Sequence, residues 1–174
     1  MSAAKSPVGA EPYPGLLHWL RAHDVEHEVH QHPHTITARA TARAEGIDPR
    51  RFAKCVGVAT ADGSVVMAVV DAADRLDLRK ASVVLSTDRV RLLSEAELLT
   101  VAPECEVGTW PPIDELVGAR IVADFAVRED PEISFHAGSH RFTVHVDRAA
   151  WERESHVTYG DLAERDDQPA WARS

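Results

Sequence analysis

Lys54-Cys55-Val56-Gly57-Val58-Ala59-Thr60, then Ala61-Asp62-Gly63, then Ser64-Val65-Val66-Met67-Ala68-Val69-Val70-Asp71 is the stretch that decides the fold. Two valine-rich runs of strand length flank an Asp-Gly pair, which tolerates positive φ and is a strong hairpin-turn signal. Val65 to Val70 is apolar at every position, so both faces of that strand need a cover, and the hairpin is expected at the centre of a sheet with a layer on each side. The run is far too short to span a bilayer, and no longer one exists in the chain.

On the N-terminal side, Pro14 followed by Leu16, Leu17, Trp19 and Leu20 predicts a helix ending near His23, with proline in its first turn. Val25 to His32 alternates as a strand. Thr37 is placed to cap a helix through Glu45, closed by Gly46, and Asp48-Pro49 opens a further short turn of helix. On the C-terminal side, Asp77 starts a helix through Leu85, Val90 to Leu92 forms a short strand, and Ser94-Glu95-Ala96-Glu97 is a capping box. Val101 to Ile113, with three prolines and a glycine, is a loop long enough to carry function. Ala119 to Phe125 reads as a strand. Ile133 and Phe135, then Phe142, Val144 and Val146, alternate with polar residues and predict a hairpin with one wet face. Asp147 caps a last helix around Trp151. The expectation is one α/β (α+β) domain, a mixed, mostly antiparallel central sheet flanked by helices, over residues 14–159. Residues 1–13 read as a loose extension and 160–174 as an acidic tail.

The 174 residues carry a net charge of −9, with 44% hydrophobic and 27% charged residues, values of an ordinary globular chain and not of a protein that coats nucleic acid indiscriminately. The total hides a division: residues 1–38 sum to −2, residues 39–91 to +3 and residues 92–174 to −10. Arg39, Arg43, Arg50, Arg51 and Lys54 form one basic cluster and Arg75, Arg79, Lys80, Arg89 and Arg91 another. The alternatives are solvated helix faces and a local anion-binding surface. Without a signal peptide or membrane span, the cytoplasm is the expected location.

Cys55 and Cys105 stand alone and far apart, reading as reduced thiols and not as a metal knuckle or redox pair. Phosphate-loop, dinucleotide, nucleophile-elbow and zinc-protease motifs are absent. His30, His32 and His34 share a strand face, yet Pro33 interrupts it and no Cys or carboxylate stands at a partner spacing, so no metal site is expected. Lys54 opens an apolar strand, where an ammonium is costly unless it reaches water or an anion. In Gly108-Thr109-Trp110-Pro111-Pro112 the prolines hold the chain extended while glycine frees it to turn or approach a ligand. The alternatives are a functional loop and a rigid turn anchored by Trp110. His140 in Gly138-Ser139-His140 is a candidate base or an ordinary turn residue.

A lysine opening the strand after a short helix, a G-x-x-x-P loop about fifty residues on, and a late G-S-H turn together resemble the YbaK/EbsC-type aminoacyl-tRNA deacylases, relatives of the editing domain of bacterial prolyl-tRNA synthetase. The similarity runs from about Pro14 to Asp147 and includes His32-Pro33-His34-Thr35, Ala44-Glu45-Gly46-Ile47-Asp48 and Arg75-Leu76-Asp77-Leu78-Arg79-Lys80. The resemblance implies hydrolysis of the ester joining a wrong amino acid to the 3′ end of a tRNA, without a cofactor. It implies Lys54, Gly108 and His140 as catalytic, and His34, Thr35, Thr109, Trp110, Pro111, Pro112 and Ser139 as substrate-binding. Arg50, Arg51, Arg79 and Lys80 would meet tRNA. The partners the resemblance implies are the aminoacyl-tRNA acceptor end and an aminoacyl-tRNA synthetase. Where the family often has Phe-Gly after the prolines this chain has Ile113-Asp114, and it has Cys55 where Thr, Ser or Asn often follows the lysine. A non-catalytic module of the same fold, or a histidine-based metal protein, are the competing readings.

Overall fold

The structure, a computed structural model, describes residues 6–164. Along the chain run α1 (Pro14–Ala22), β1 (His27–Gln31), α2 (Ala38–Glu45), a 3-10 turn at Pro49–Arg51, β2 (Ala53–Thr60), β3 (Val65–Asp71) and β4 (Arg75–Leu76). Next come α3 (Leu78–Val84), β5 (Val90–Leu92), α4 (Glu95–Val101), α5 (Asp114–Val117) and β6 (Arg120–Asp124). A 3-10 turn at Phe125–Glu129 leads to β7 (Glu132–His136), β8 (Phe142–Asp147), α6 (Arg148–Glu154), β9 (Thr158–Gly160) and β10 (Ala163–Glu164).

The helix boundaries follow local chemistry. The Thr37 side chain accepts from the Ala40 amide and Gly46 closes α2 at φ 68°, a left-handed cap. Asp77 accepts from the Arg79 and Lys80 amides, and Ser94 with Glu97 completes the capping box of α4.

The valine-rich hairpin lies in a five-stranded sheet of order β5-β2-β3-β6-β9, with β3 at its centre. β2 pairs antiparallel with β3 and β5, whereas β3 with β6 and β6 with β9 run parallel. Both faces of β3 are covered, as its composition demands. Met67 and Val69 join a core with α1, Phe135, Val144 and Trp151, while Val66, Ala68 and Val70 pack on the other side with Ala81, Val122 and Leu162. β1, β8 and β7 form a separate antiparallel three-stranded sheet in that order.

The face of the β7–β8 hairpin expected to be wet is wet only toward one end. Glu132 and Asp147 are exposed and His145 is half-buried, but Ser134, His136 and Thr143 are buried because α2 closes over them: Thr143 Oγ1 lies 2.8 Å from a Glu45 oxygen and Thr41 Oγ1 lies 2.9 Å from His136 Nε2. Alternation along a strand marks two chemically different faces, and here the middle of the polar one is satisfied inside the protein.

Both expected ends also differ. The Tyr13 amide donates to the Ala137 carbonyl and Ser139 Oγ donates to the Gly9 carbonyl, so the described part of the first thirteen residues is tied to the hairpin turn. Past residue 160, Leu162 and Ala163 are buried and β10 pairs with β4. Their amides both donate to Asp124 Oδ1, while Asp124 Oδ2 accepts from the Ala126 amide. The acidic composition of the tail obscured this anchor; its remaining residues, 165–174, lie outside the described ones. No helix among the described residues is long and apolar enough to cross a membrane.

Asp71, at the end of β3, is buried, which pushes its carboxyl pKa from 3.8 up to about 7, with the charges of Asp130, Asp74 and Asp124 adding to the effect. Unfolded, the group releases its proton near 3.8; folded, it holds that proton until about 7. The stability present below pH ~4 is therefore lost progressively as the pH rises to 7, and the penalty persists above it. Asp71→Asn is expected to raise Tm at pH 8 and leave it nearly unchanged at pH 4; an equal shift at both pH values would contradict this account.

Candidate functional site

β5 pairs with Val58–Thr60 of β2, and the Leu93 amide extends the contact to the Gly57 carbonyl, but the β5 ladder does not reach the start of the strand, Ala53 to Val56. A cavity of about 560 Å³ lies along that part of the strand. Its floor is Ala53 to Gly57; its walls are Ile36 to Arg39 from the start of α2, Ala72 to Arg75 after β3, Leu92, Leu93 and Leu98 beside α4, and Gly108, Trp110 and His136. Gly57 permits this approach: a Cβ there would lie 2.9 Å from both Leu93 Cδ1 and Leu98 Cδ2.

Lys54 enters the cavity half-buried, its Nζ donating to the Asp74 carbonyl at 2.8 Å. Arg39 grips the same segment, Nε donating to the Ala72 carbonyl at 3.1 Å and an Nη to that of Ala73 at 2.7 Å. Arg50 approaches Asp74 Oδ1 at 3.8 Å. Lys54 from β2, Arg39 from α2 and Arg50 from the 3-10 turn thus gather around the Ala72–Asp74 segment that follows β3. Cys55 contributes a thiol whose pKa burial raises to about 12, with Cys105 adding to the shift, so it remains protonated and is no nucleophile.

Gly108 is exposed at the mouth with φ 86°, in the region that favours glycine. The loop behind it is fastened: Thr109 Oγ1 donates to the Glu106 carbonyl, the Gly138 amide donates to the Thr109 carbonyl, and Trp151 Nε1 donates to the Pro112 carbonyl. Trp110 is buried in the core and borders the cavity, so the loop is anchored and also reaches that space. A Cβ on Gly108 meets nothing within 4 Å, so Gly108→Val acts through backbone strain alone, about 1–3 kcal/mol. We expect a Tm fall of a few degrees and roughly 10-fold slower turnover of the substrate proposed below. Unchanged turnover would remove the loop from the site.

Of the candidate catalytic, substrate-binding and tRNA-binding residues, Lys54, Gly108 and Trp110 are brought together in the cavity lining, with Arg39 and Arg75 of the two basic clusters and Cys55; the other candidates are not. His140 stands behind the loop, its Nε2 donating to the Val107 carbonyl at 3.1 Å and its amide to Glu106 Oε1 at 3.1 Å, which suits it to positioning Gly108. Ser139 is fully buried, its hydroxyl bound to Gly9 and its oxygen to the Arg141 amide. Thr35 bonds Thr41, exposed His34 lies 5.4 Å from His140 between ring centroids, and Thr109, Pro111 and Pro112 are buried in the loop's foundation. Arg50 and Arg51 lie on the 3-10 turn before β2. Arg79 and Lys80 lie on α3, where Lys80 Nζ donates to Asp161 Oδ1 and to the Ala163 carbonyl. Of the two departures from the family pattern, Cys55 lines the cavity, whereas Ile113 is buried in the core and Asp114 meets His156 Nδ1 at 2.9 Å.

His136 escaped the sequence reading. Thr41 Oγ1 donates to the Thr37 carbonyl and so accepts from His136 Nε2–H, which leaves Nδ1 as the ring's acceptor. Burial pushes the His136 pKa down to about 3, with His140 and His32 adding to it, so the ring is neutral at physiological pH. The available signal was the Ile133–Phe135 alternation, which placed His136 on the face opposite the core.

A model of the aminoacyl-tRNA editing domain matches residues 32–154. The chain belongs to that family. No curated protein matches this editing domain. A solved protein proposed as a trans-editing enzyme for prolyl-tRNA synthetase superposes with a TM-score of 0.77 at 20% identity, covering 92% of this chain and 99% of its own. The hypothetical protein APE2540 gives 0.78 at 17% identity, over 86% and 99% of the two chains. A scaffold protein used for epitope backbone grafting gives 0.76 at 21% identity, over 92% and 99%. At these identities the likeness establishes a shared fold, the mixed α/β architecture of editing domains.

Proposed function

We propose that this editing domain acts in trans as an aminoacyl-tRNA deacylase, hydrolysing the ester of a tRNA that carries a small wrong amino acid, with tRNA(Pro) as the first candidate. The observation that carries the reading is the cavity along the start of β2, where Lys54, Arg39, Gly108 and neutral His136 border one space of about 560 Å³. An aminoacyl ester is already activated and a ribose hydroxyl stands beside it, so the protein's task is to position the ester, exclude bulk water and place one water molecule. That water attacks the ester carbonyl carbon, the bond to the ribose oxygen breaks, and the oxygen leaves as a hydroxyl after taking up a proton.

In this mechanism Lys54 and Arg39 meet the terminal phosphate, and the backbone of Gly108 orients the carbonyl and the water. His136 Nδ1 accepts from the substrate's ammonium group. Trp110, Cys55 and Leu93 bound the side-chain space. Editing is needed because one methylene in a synthetase pocket discriminates by only ~1–3 kcal/mol, and a second sieve that admits the smaller residue raises fidelity.

The test is a panel of mischarged tRNAs, tRNA(Pro) carrying alanine or cysteine first, with release of the free amino acid measured against correctly charged Pro-tRNA(Pro). Faster release from one mischarged member is expected. Binding across the panel without release would make the chain a non-catalytic module instead. In the same proposal Arg50 and Arg51, exposed on the turn leading into β2, meet the acceptor stem. Changing both to Ala is expected to weaken tRNA binding uniformly across sequences and to lower the salt slope by about 1–2; an unaltered slope would exclude them.

A further inference from the structure

Away from the cavity, His30 on β1, Glu45 at the end of α2 and His145 on β8 converge: one nitrogen from each ring and one carboxylate oxygen all lie within 4.8 Å of one another. Glu45 Oε1 is 4.0 Å from His30 Nδ1 and 3.8 Å from His145 Nε2. Those separations are too long for hydrogen bonds, but they suit three ligands around a shared atom. A point among three atoms so spaced lies within about 2.8 Å of each, so closure by less than 1 Å reaches the 2.0–2.2 Å of zinc–nitrogen and zinc–carboxylate bonds.

We propose that His30, Glu45 and His145 form a structural divalent-cation site, with zinc the best-matched ion. The surrounding groups prepare each ligand. His145 Nδ1 is held by Ser134 Oγ at 2.6 Å, and with that nitrogen donating, the lone pair lies on Nε2, a buried atom with no hydrogen-bond partner in the protein. His30 Nε2 is held by Glu28 Oε2 at 3.1 Å, which leaves the lone pair on Nδ1. Thr143 Oγ1 contacts both Glu45 oxygens at 2.8 Å. Partners of this kind fix tautomer and ring orientation at metal centres.

Charge points the same way. Glu45 is the last residue of α2, at the negative end of the helix, where a cation is favoured. His30 is exposed enough to give an ion access and leave a coordination position to water. Bound there, the cation ties β1, β8 and α2 together, and α2 begins at the cavity wall.

The test titrates chelator-treated protein with Zn²⁺ and follows heat and thermal unfolding. One equivalent is expected to bind with micromolar or tighter affinity, and at 100-fold excess over Kd to raise Tm by about 5 °C or more. His30→Gln, on an exposed strand position that tolerates glutamine, is expected to weaken that equivalent at least ~10-fold and to abolish the Tm rise. His156→Gln, a change at an exposed histidine outside the cluster, is expected to alter neither. No binding to the wild type, or equal binding by the wild type and His30→Gln, would overturn the site. Equal losses in both variants would show adventitious surface histidine binding and overturn it as well.

Discussion

Lys54→Ala is expected to lower kcat/KM for deacylation 10- to 100-fold. A hydrogen bond to a charged group contributes ~1.5–3 kcal/mol, and the alanine variant loses the ammonium that the proposed mechanism sets against the terminal phosphate. Lys54 also has a structural task, because its Nζ donates to the Asp74 carbonyl. That carbonyl lines a cavity of about 560 Å³, where water can replace the lost donor, so the cost to folding should be about 1 kcal/mol, or 2–4 °C in Tm. Turnover and melting measured on the same sample separate the two roles. Wild-type turnover in the folded fraction, with only a lowered Tm, would make Lys54 a support for the Ala72–Asp74 segment and nothing more.

Asp124→Leu is expected to be the most destabilising single substitution considered. The fully buried carboxylate accepts from three backbone amides, those of Ala126, Leu162 and Ala163, and leucine takes that partner from all three, leaving the Leu162 and Ala163 donors buried. At about 1–3 kcal/mol for each such group, after partial relaxation, the loss should be ~3–5 kcal/mol, corresponding to a Tm fall of roughly 10 °C. Asp124→Asn should fall between, since its oxygen serves the Leu162 and Ala163 amides while its NH₂ opposes that of Ala126. Hydrogen exchange at Leu162 and Ala163 should accelerate in both variants. Unchanged protection there would mean that the segment after β9 is held by its apolar contacts alone.

Much of the fold is written in short-range signals. Asp62-Gly63 between valine runs, Thr37 with Gly46 around α2, and Ser94 with Glu97 at α4 each specify their element within a few residues, and each element forms where those residues place it. What escaped depends on partners distant in sequence. Nothing in His27 to Gln31 says that it pairs with Phe142 to Val146 and not with the central sheet, and nothing in the acidic stretch after Gly160 announces that Asp124 holds it. The site divides the same way. Lys54 and Gly108 were readable as a charge in an apolar strand and a glycine in a proline loop. His136, Arg39 and Asp74 join them only because three turns end beside the same strand edge. The carboxylate that completes the histidine cluster was invisible because Glu45 belongs to a helix, not to the strand that carries His30.

The shortness of β5 has a consequence for solubility. A strand edge with unpaired amides and carbonyls is a template on which another chain can add a strand, and proteins guard such edges with charge or with covering side chains. Along Ala53 to Val56, which the β5 ladder does not reach, the guards are Lys54 and the Leu93 and Leu98 side chains, the same groups that shape the cavity. Enlarging the pocket by trimming these leucines, the obvious route to a bulkier substrate, would also strip the sheet of its protection against self-association. The range of sizes this pocket can accept is therefore limited by colloidal stability as well as by chemistry.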